Sequence, residues 1–187
     1  MDPMETACAA LDAAHAKDPG GPDHERAYTR RIEAWTSRLV AAPSPALRLA
    51  ARAQHLERWA IPRADYPEGR GGYLRWRAAV HQRQGARAQE ILGASGCDAE
   101  LSARVAALVS KSAPRGDAEA QALEDAACLV FLETELAAFA AEYPREKTID
   151  VLRKTWRKMS PAGHAEAARL TLAPDLTALV AEALRPA

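Results

Sequence analysis

Residues 117–141 read DAEAQALEDAACLVFLETELAAFAA, and this stretch decides the fold class of the chain. Strong helix formers make up most of it, and no proline or glycine interrupts it. Its centre, residues 126–132, would be apolar on every side of a helix, which is typical of a helix surrounded by other helices. The stretch therefore predicts a long buried helix at the centre of an all-α bundle.

Apolar residues recur at helical spacing on both sides of this central helix and predict several more helices. Their approximate ranges are 4–16, 24–40, 45–59, 73–93, 98–112 and 145–159, followed by a short helix that starts at Ser160-Pro161. A breaker, KDPGGPD at 17–23, separates the first two, and a loop at about 60–72 separates the third from the fourth. Residues with a branched β-carbon never alternate with polar ones over a useful length, so no sheet is expected.

The length of 187 residues suits one domain of ordinary size. We expect a single all-α domain over 1–187, built as a bundle of about seven to nine helices, with a core at about 4–170 and a weak C-terminal tail at 171–187. Gly85, within the fourth helix, is expected to let a neighbouring helix approach closely.

Charge and cysteine content limit the function classes. The chain has 25 basic and 25 acidic side chains, whereas a dedicated nucleic-acid binder normally carries a basic excess. A basic stripe on the 145–159 helix is therefore interpreted as a solvated face; it comprises Arg153, Lys154, Arg157 and Lys158. The cysteines show no CxxC spacing and are expected to be reduced thiols, as in cytosolic proteins; they are Cys8, Cys97 and Cys128.

The N-terminal residues MDPMETACAALDAAH carry acids where a signal peptide needs basic residues. No apolar run approaches the roughly twenty residues of a membrane span. We therefore expect a cytoplasmic protein with no membrane partner.

Two histidines fall within the predicted helices. His55 lies on the 45–59 helix, on a face shared with Trp59 that is expected to be at least half buried. Two interpretations remain open: a core histidine hydrogen-bonded to a backbone carbonyl, or a metal ligand or general base. His81 lies on the 73–93 helix and, considered alone, is expected at the surface.

Asp125 directly precedes the apolar run of the central helix. A carboxylate held against a core helix is rarely left unpaired, so an arginine, a lysine or a cation is expected to neutralise it. With His55 and His81 it makes the minimum set for a metal site of nitrogen and oxygen ligands. The chain has no HExxH, CxxC, P-loop or GxSxG motif that would indicate a reaction.

Arginines near these histidines are candidates for anion binding. Arg75 and Arg77 flank Trp76, so the indole can pack while the guanidinium groups reach outward. Such a pair suits bidentate binding of carboxylate or phosphate, and it equally suits a solvated helix face. Residues 69–72, Gly-Arg-Gly-Gly, are a second candidate through backbone N–H groups at a helix start.

Three long motifs resemble a known family. They are RAQHLERWAIPRADYPEGRGGYLRWR at 52–77, LEDAACLVFLE at 123–133 and EKTIDVLRKTWRKMS at 146–160. In these motifs the chain resembles the domain-of-unknown-function family numbered 4202, from about Asp12 to His164. That resemblance implies relatedness and carries no activity with it.

The order of features also resembles a degenerate HD-type phosphohydrolase domain, which implies an HD-domain-like all-α fold. The resemblance implies a divalent metal, such as Mn²⁺, Mg²⁺, Fe²⁺ or Zn²⁺, held by His55, His81 and Asp125, with Glu25 as a replacement oxygen ligand. Leu56 stands where the His-Asp dipeptide of that superfamily has its aspartate. Lys111 stands about where some members have a further histidine.

The first functional hypothesis is a metal-dependent phosphohydrolase-like protein that acts on, or binds, a phosphorylated small molecule or nucleotide. The metal would lower the pKa of a bound water. Basic residues would hold the phosphate, with Arg58 and Lys111 in catalytic roles and others in binding; the others are Arg63, Arg75 and Arg77.

The second hypothesis is a non-catalytic helical module that binds a small anion or a protein partner. In it, Asp125 pairs with Arg58 or Arg77, and His55 with Gln54 completes the polar network. The missing His-Asp dipeptide favours this alternative.

Overall fold

The computed structural model describes residues 2–21 and 23–185, except for the side chain of His24. All regular elements within these residues are helical, which confirms the all-α prediction. The described residues form ten α-helices: α1 (Pro3–His15), α2 (His24–Leu39), α3 (Pro45–Arg52), α4 (Gly69–Ala94), α5 (Ala99–Val109), α6 (Ala118–Val130), α7 (Leu136–Glu142), α8 (Arg145–Lys158), α9 (Pro161–Ala167) and α10 (Pro174–Ala183). This count exceeds the predicted range because the central helix is divided: a π-helical segment, Phe131–Glu135, joins α6 to α7.

The chain folds into two compact units, Met1–Ala120 and Gln121–Ala187. The helices described within 2–21 and 23–185 include none that is long and apolar enough to span a membrane.

The first unit packs α1, α2 and α5 around α3, and α4 against α5. Helix α3 is the most deeply placed, because most of its residues are small or aliphatic and five of its eight are buried. Gly85 of α4 lies so close to α5 that a β-carbon there would be 2.8 Å from the carbonyl oxygen of Ala106. The expected close approach at Gly85 is confirmed.

The helix predicted over 45–59 is wrong in its second half, because α3 ends at Arg52. His55 and Glu57 follow with φ angles of 59° and 48°, in the left-handed region that interrupts a helix. A short 3₁₀-helix, Arg58–Ala60, comes next, and another spans Arg63–Asp65 within the predicted loop. Local propensity favours continuation of the helix, so this break depends on side-chain contacts with other helices.

Helix α4 begins at Gly69, about four residues earlier than expected. Gly69 has a φ of 81°, a conformation that glycine adopts without steric cost. A β-carbon on Gly72 would lie 1.7 Å from the carbonyl oxygen of Pro67, so only glycine fits there. These two glycines let the loop turn sharply into the helix.

An ion-pair network holds the connection between α5 and α6. Arg104 of α5 donates to both carboxylate oxygens of Asp117, at 2.8 and 2.9 Å, and to Glu119. Ser44, which caps α3, donates to the other oxygen of Glu119. The guanidinium of Arg104 lowers the pKa of Asp117 to about 2.

In the second unit, α8 packs on α7 and α10. The predicted weak tail contains α10, whose C-terminal carbonyl at Ala183 accepts a hydrogen bond from Arg153 at 3.0 Å. Arg145 also pairs with Glu182. Basic side chains of α8 thus compensate the partial negative charge at the end of α10.

Candidate functional site

A cleft of about 390 Å³ opens in the first unit beside the turn that follows α3. Residues from the α1–α2 connection, the start of α2, the first 3₁₀-helix and its loop, and α4 line it: Asp18, Gly20, Glu25, Arg58, Trp59, Ile61, Pro62, Arg63 and Trp76. Its volume lies at the lower end of the roughly 300–1,000 Å³ typical of ligand pockets. The cleft therefore suits a small molecule.

His55 connects two of the residues that line this cleft. Its Nδ1 lies 3.2 Å from Oε2 of Glu25, and its Nε2 lies 3.3 Å from Nη1 of Arg58. A guanidinium can only donate, so Nε2 accepts and the ring proton sits on Nδ1, from which it is donated to Glu25. His55 is therefore held between the carboxylate of Glu25, to which it donates, and the guanidinium of Arg58, from which it accepts.

The His55 ring is held in position by stacking as well. It lies parallel to the ring of Tyr28, with the centroids 4.1 Å apart and the planes 6° from parallel. Glu25, one turn before Tyr28 on α2, is only 6% exposed. A carboxylate buried to this degree requires hydrogen-bond donors, and His55 supplies one of them.

Arg58 is one of two arginines that line the cleft. Its guanidinium carbon lies 5.0 Å from the ring centroid of Trp76, within the range of a cation–π contact. Trp76 is itself fixed, because its Nε1 donates to the carbonyl of Ile61 at 2.9 Å. One terminal nitrogen of Arg58 contacts His55, and a guanidinium has further N–H donors that can be offered to an anion.

The turn that carries His55 is strained and is held from its other side by Glu57. Residues other than glycine with positive φ cost roughly 1–3 kcal/mol each and persist only where the surroundings impose them. Glu57 accepts hydrogen bonds from Arg83 at 3.1 Å and from Arg87 at 2.9 Å, both on α4. The contacts of His55 with α2 and of Glu57 with α4 therefore stabilise this turn relative to the continuous helix that local propensity favours.

Of the residues predicted to bind a ligand, Arg63 lines the cleft, whereas Gln54, Arg75 and Arg77 do not. Arg63 lines it, but its two terminal nitrogens donate to the carbonyls of Tyr66 and Pro67, at 2.8 and 3.0 Å, and so hold the loop. Gln54 donates to the carbonyl of Ala50 near the end of α3. Two other predicted residues lie on α4 outside the cleft lining, namely Arg75, which is exposed, and Arg77, which lies 5.8 Å from the Tyr73 ring.

Lys111 and His81, also predicted as site residues, do not line the cleft either. Lys111 is exposed in the turn after α5, where it has a φ of 58° and closes the end of that helix. His81 is partly exposed on α4.

Asp125 belongs to the second unit and acts there as a structural carboxylate. It is 2% exposed and accepts hydrogen bonds from the backbone N–H of Ser160 at 2.8 Å, from the Ser160 hydroxyl at 2.5 Å and from Gln121 at 3.0 Å. Gly163 packs directly on it. These neutral donors, rather than the expected arginine, lysine or cation, satisfy the carboxylate and fix the turn between α8 and α9.

The predicted metal ligands fit a cation poorly in this arrangement. Within the described parts of the chain, no group of three or more His, Cys, Asp and Glu side chains could hold a metal ion. Both ring nitrogens of His55 are engaged, and the positive guanidinium of Arg58 lies against the one that carries the lone pair. Glu25, proposed as a replacement ligand, does lie beside His55, yet as its hydrogen-bond acceptor. The metal assignment stays a prediction.

His15 plays the core role that was one of the alternatives for His55. It is fully buried, and its Nε2 lies 2.9 Å from the carbonyl oxygen of Arg52, so this nitrogen is the donor. Burial lowers the pKa of its imidazole, which is therefore neutral. Arg52 also pairs with Asp12 and Glu33, and together these contacts join α1 and α2 to the end of α3.

Several residues that line the cleft were not predicted from the sequence as site residues. They are Asp18, Gly20, Trp59, Ile61, Pro62 and Trp76. The breaker at 17–23, and Trp59 and Trp76 beside arginines, are the sequence features that could have indicated these residues. Their convergence depends on the turn at His55, which helical periodicity does not reveal.

Comparison with known proteins assigns the chain to a family. No curated protein and no solved structure matches it. The family model described as Domain of unknown function (DUF4202) matches residues 5–180. Because this match covers nearly the whole chain, the protein belongs to the DUF4202 family.

Proposed function

We propose that the cleft in the first unit binds a small phosphorylated molecule, with Arg58 as the principal anion contact. The observation that carries this proposal is the placement of the Arg58 guanidinium between the Trp76 ring and Nε2 of His55, at the wall of a cleft. This proposal follows the second hypothesis, that the protein binds a small anion, and it assigns the binding to residues that line the cleft.

Preorganisation of Arg58 supports the proposal. A long side chain loses rotamer freedom when it binds, and contacts with Trp76 and His55 restrict Arg58 before a ligand arrives. Guanidinium groups match the geometry of phosphate oxygens and form charge-assisted hydrogen bonds with them. Trp59, which also lines the cleft, offers an apolar surface to the rest of the ligand.

The choice of phosphate over other anions rests on the resemblance to HD-type phosphohydrolases, an HD-like fold being part of this proposal. The binding contacts proposed here are made by protein side chains and need no metal. Nucleotides are included among the candidate ligands because Trp59, which lines the cleft, could stack on a base.

The test is calorimetric titration of the chain with ethyl phosphate and with adenosine monophosphate. Arg58→Ala is expected to weaken binding by about 10- to 100-fold, since hydrogen bonds to charged groups contribute roughly 1.5–3 kcal/mol. Arg115→Ala is the matched control, because Arg115 is an exposed arginine of the same unit that does not line the cleft. Equal affinities in Arg58→Ala and the native chain would contradict the proposal.

A second candidate is hydrolysis of the bound phosphate ester, favoured by the Glu25–His55 hydrogen bond. Nε2 of His55 is engaged by Arg58 in the structure, so general-base catalysis would require the Arg58 guanidinium to turn to the bound phosphate and leave Nε2 to accept a proton from water. That water would attack phosphorus, the ester P–O bond would break, and the proton would pass to the leaving oxygen. Release of inorganic phosphate that falls at least about 100-fold in His55→Gln, with ligand affinity kept, would support this candidate.

A further inference from the structure

We infer that the ligand of the cleft carries an amino group as well as its phosphate, so that the class of ligand is a small aminoalkyl phosphate. The inference rests on the proposed function. It follows from the acidic residues of the cleft, because Asp18 and Glu25 share the lining with Arg58 and Arg63.

The cleft is balanced in charge, with two carboxylates and two guanidinium groups among its lining residues. A phosphate that carries no positive group is drawn to Arg58 and repelled by the carboxylates in the same small volume. A ligand with charges of both signs avoids this conflict, because its ammonium can lie toward the acids. A highly charged polyphosphate is the ligand that this lining disfavours most.

Both acids line the cleft and are held in place by hydrogen bonds. Asp18 closes the turn between α1 and α2, with its Oδ1 accepting from the backbone N–H of Gly20 at 2.8 Å. Glu25 has a side chain only 8% exposed, and His55 orients its carboxylate. A carboxylate can accept several hydrogen bonds, so both acids can accept a further one from a ligand ammonium.

The two guanidinium groups differ in what they can offer the ligand. Both terminal nitrogens of Arg63 already donate to the loop carbonyls, whereas Arg58 uses one terminal nitrogen for His55. The phosphate is therefore assigned to Arg58, and the ammonium to Asp18 and Glu25. The volume of about 390 Å³ accommodates a short chain between the two groups.

The experiment compares phosphoethanolamine with ethyl phosphate, which has the same phosphate ester and lacks the amine, by calorimetry at pH 7.5. The native chain is expected to bind phosphoethanolamine at least tenfold more tightly. Asp18→Asn is expected to reduce that preference at least threefold, by weakening the binding of phosphoethanolamine. Asp65→Asn, an exposed acid of the same unit outside the cleft lining, is the control and is expected to keep the preference.

The outcomes separate this inference from the proposed function. Equal affinities for the two probes in the native chain overturn the inference and leave phosphate binding intact. Binding of neither probe overturns both. A preference for the amine that persists unchanged in Asp18→Asn and in Glu25→Gln overturns the assignment of the ammonium to these carboxylates.

Discussion

His55 donates its Nδ1 proton to the buried carboxylate of Glu25, at 3.2 Å, from a backbone position with a φ of 59°. The contact joins the turn after α3 to the first part of α2. It therefore has two consequences: it satisfies a buried charge, and it stabilises a backbone conformation that the local sequence disfavours.

Removal of the carboxylate at Glu25 should destabilise the first unit. Glu25→Ala leaves the Nδ1 proton of His55 without its acceptor, for an expected loss of roughly 1–3 kcal/mol in the free energy of unfolding. Glu25→Gln keeps an oxygen acceptor and should cost less. Urea denaturation followed by circular dichroism measures both, and equal losses in the two variants would argue against a role for this hydrogen bond.

Position 57 offers a direct test of the strained turn. Glu57→Ala removes the ion pairs with Arg83 and Arg87 and keeps the cost of a left-handed residue. Glu57→Gly removes the same ion pairs but adopts the φ of 48° freely, so it should be more stable than the alanine variant by about 1 kcal/mol. If alanine were the more stable of the two, the left-handed conformation at Glu57 would be ruled out.

The Arg104–Asp117 pair predicts a specific dependence on pH. The guanidinium of Arg104 lowers the pKa of Asp117 to about 2, from an ordinary value of 3.8. A carboxyl whose pKa is lower in the folded state stabilises the fold above its unfolded pKa, and this contribution is lost as pH falls toward the folded value. Asp117→Asn should therefore lower the melting temperature at pH 7, with the difference shrinking as the pH falls from about 4 to 2.

An exposed acid provides the control for that experiment. Asp65→Asn changes the same functional group without an ion pair in the described structure, and should leave the melting temperature nearly unchanged at both pH values. A difference between native and Asp117→Asn chains that stays constant from pH 7 to pH 2.5 would show that the contribution of Asp117 does not depend on its charge.

We expect position 163 to require glycine, because the carboxylate of Asp125 lies directly against it. A β-carbon there would lie 2.8 Å from Cγ of Asp125, which has hydrogen bonds that prevent it from moving aside. Gly163→Ala is expected to destabilise the second unit by about 1–3 kcal/mol. Gly93→Ala is the control, because a β-carbon on Gly93 of α4 meets nothing within 4 Å and should raise stability by about 0.4–1 kcal/mol.

The double variant shows whether contact with Asp125 causes that loss. In Asp125→Ala the space beneath Gly163 is larger, so the Gly163→Ala change should cost less there than in the native chain. Strictly additive losses from thermal denaturation of the four chains would mean that the two positions do not interact.

The sequence predicted helix starts correctly where a capping serine followed by a proline sets them. Pro45 after Ser44, and Pro161 after Ser160, mark helix starts that the structure confirms, with each serine oxygen accepting a backbone N–H. The π-helical segment at 131–135 and the helix at 174–183 were not anticipated. The pattern of apolar residues does not by itself distinguish a π-helical segment from a continuous α-helix at 131–135, or a helix from an irregular tail at 174–183.

The sequence by itself determined the all-α class and most helix boundaries, and three of its candidate site residues line the cleft, namely Glu25, Arg58 and Arg63. Only the tertiary structure decided that α3 stops at Arg52, because the break depends on Glu25 and on two arginines of α4, which are distant in the chain. It likewise decided that Asp125 is a structural carboxylate, because the donors at Ser160 come from another helix boundary. Periodicity reports which face of a helix is buried, whereas the partner of a buried polar group depends on which segments meet there.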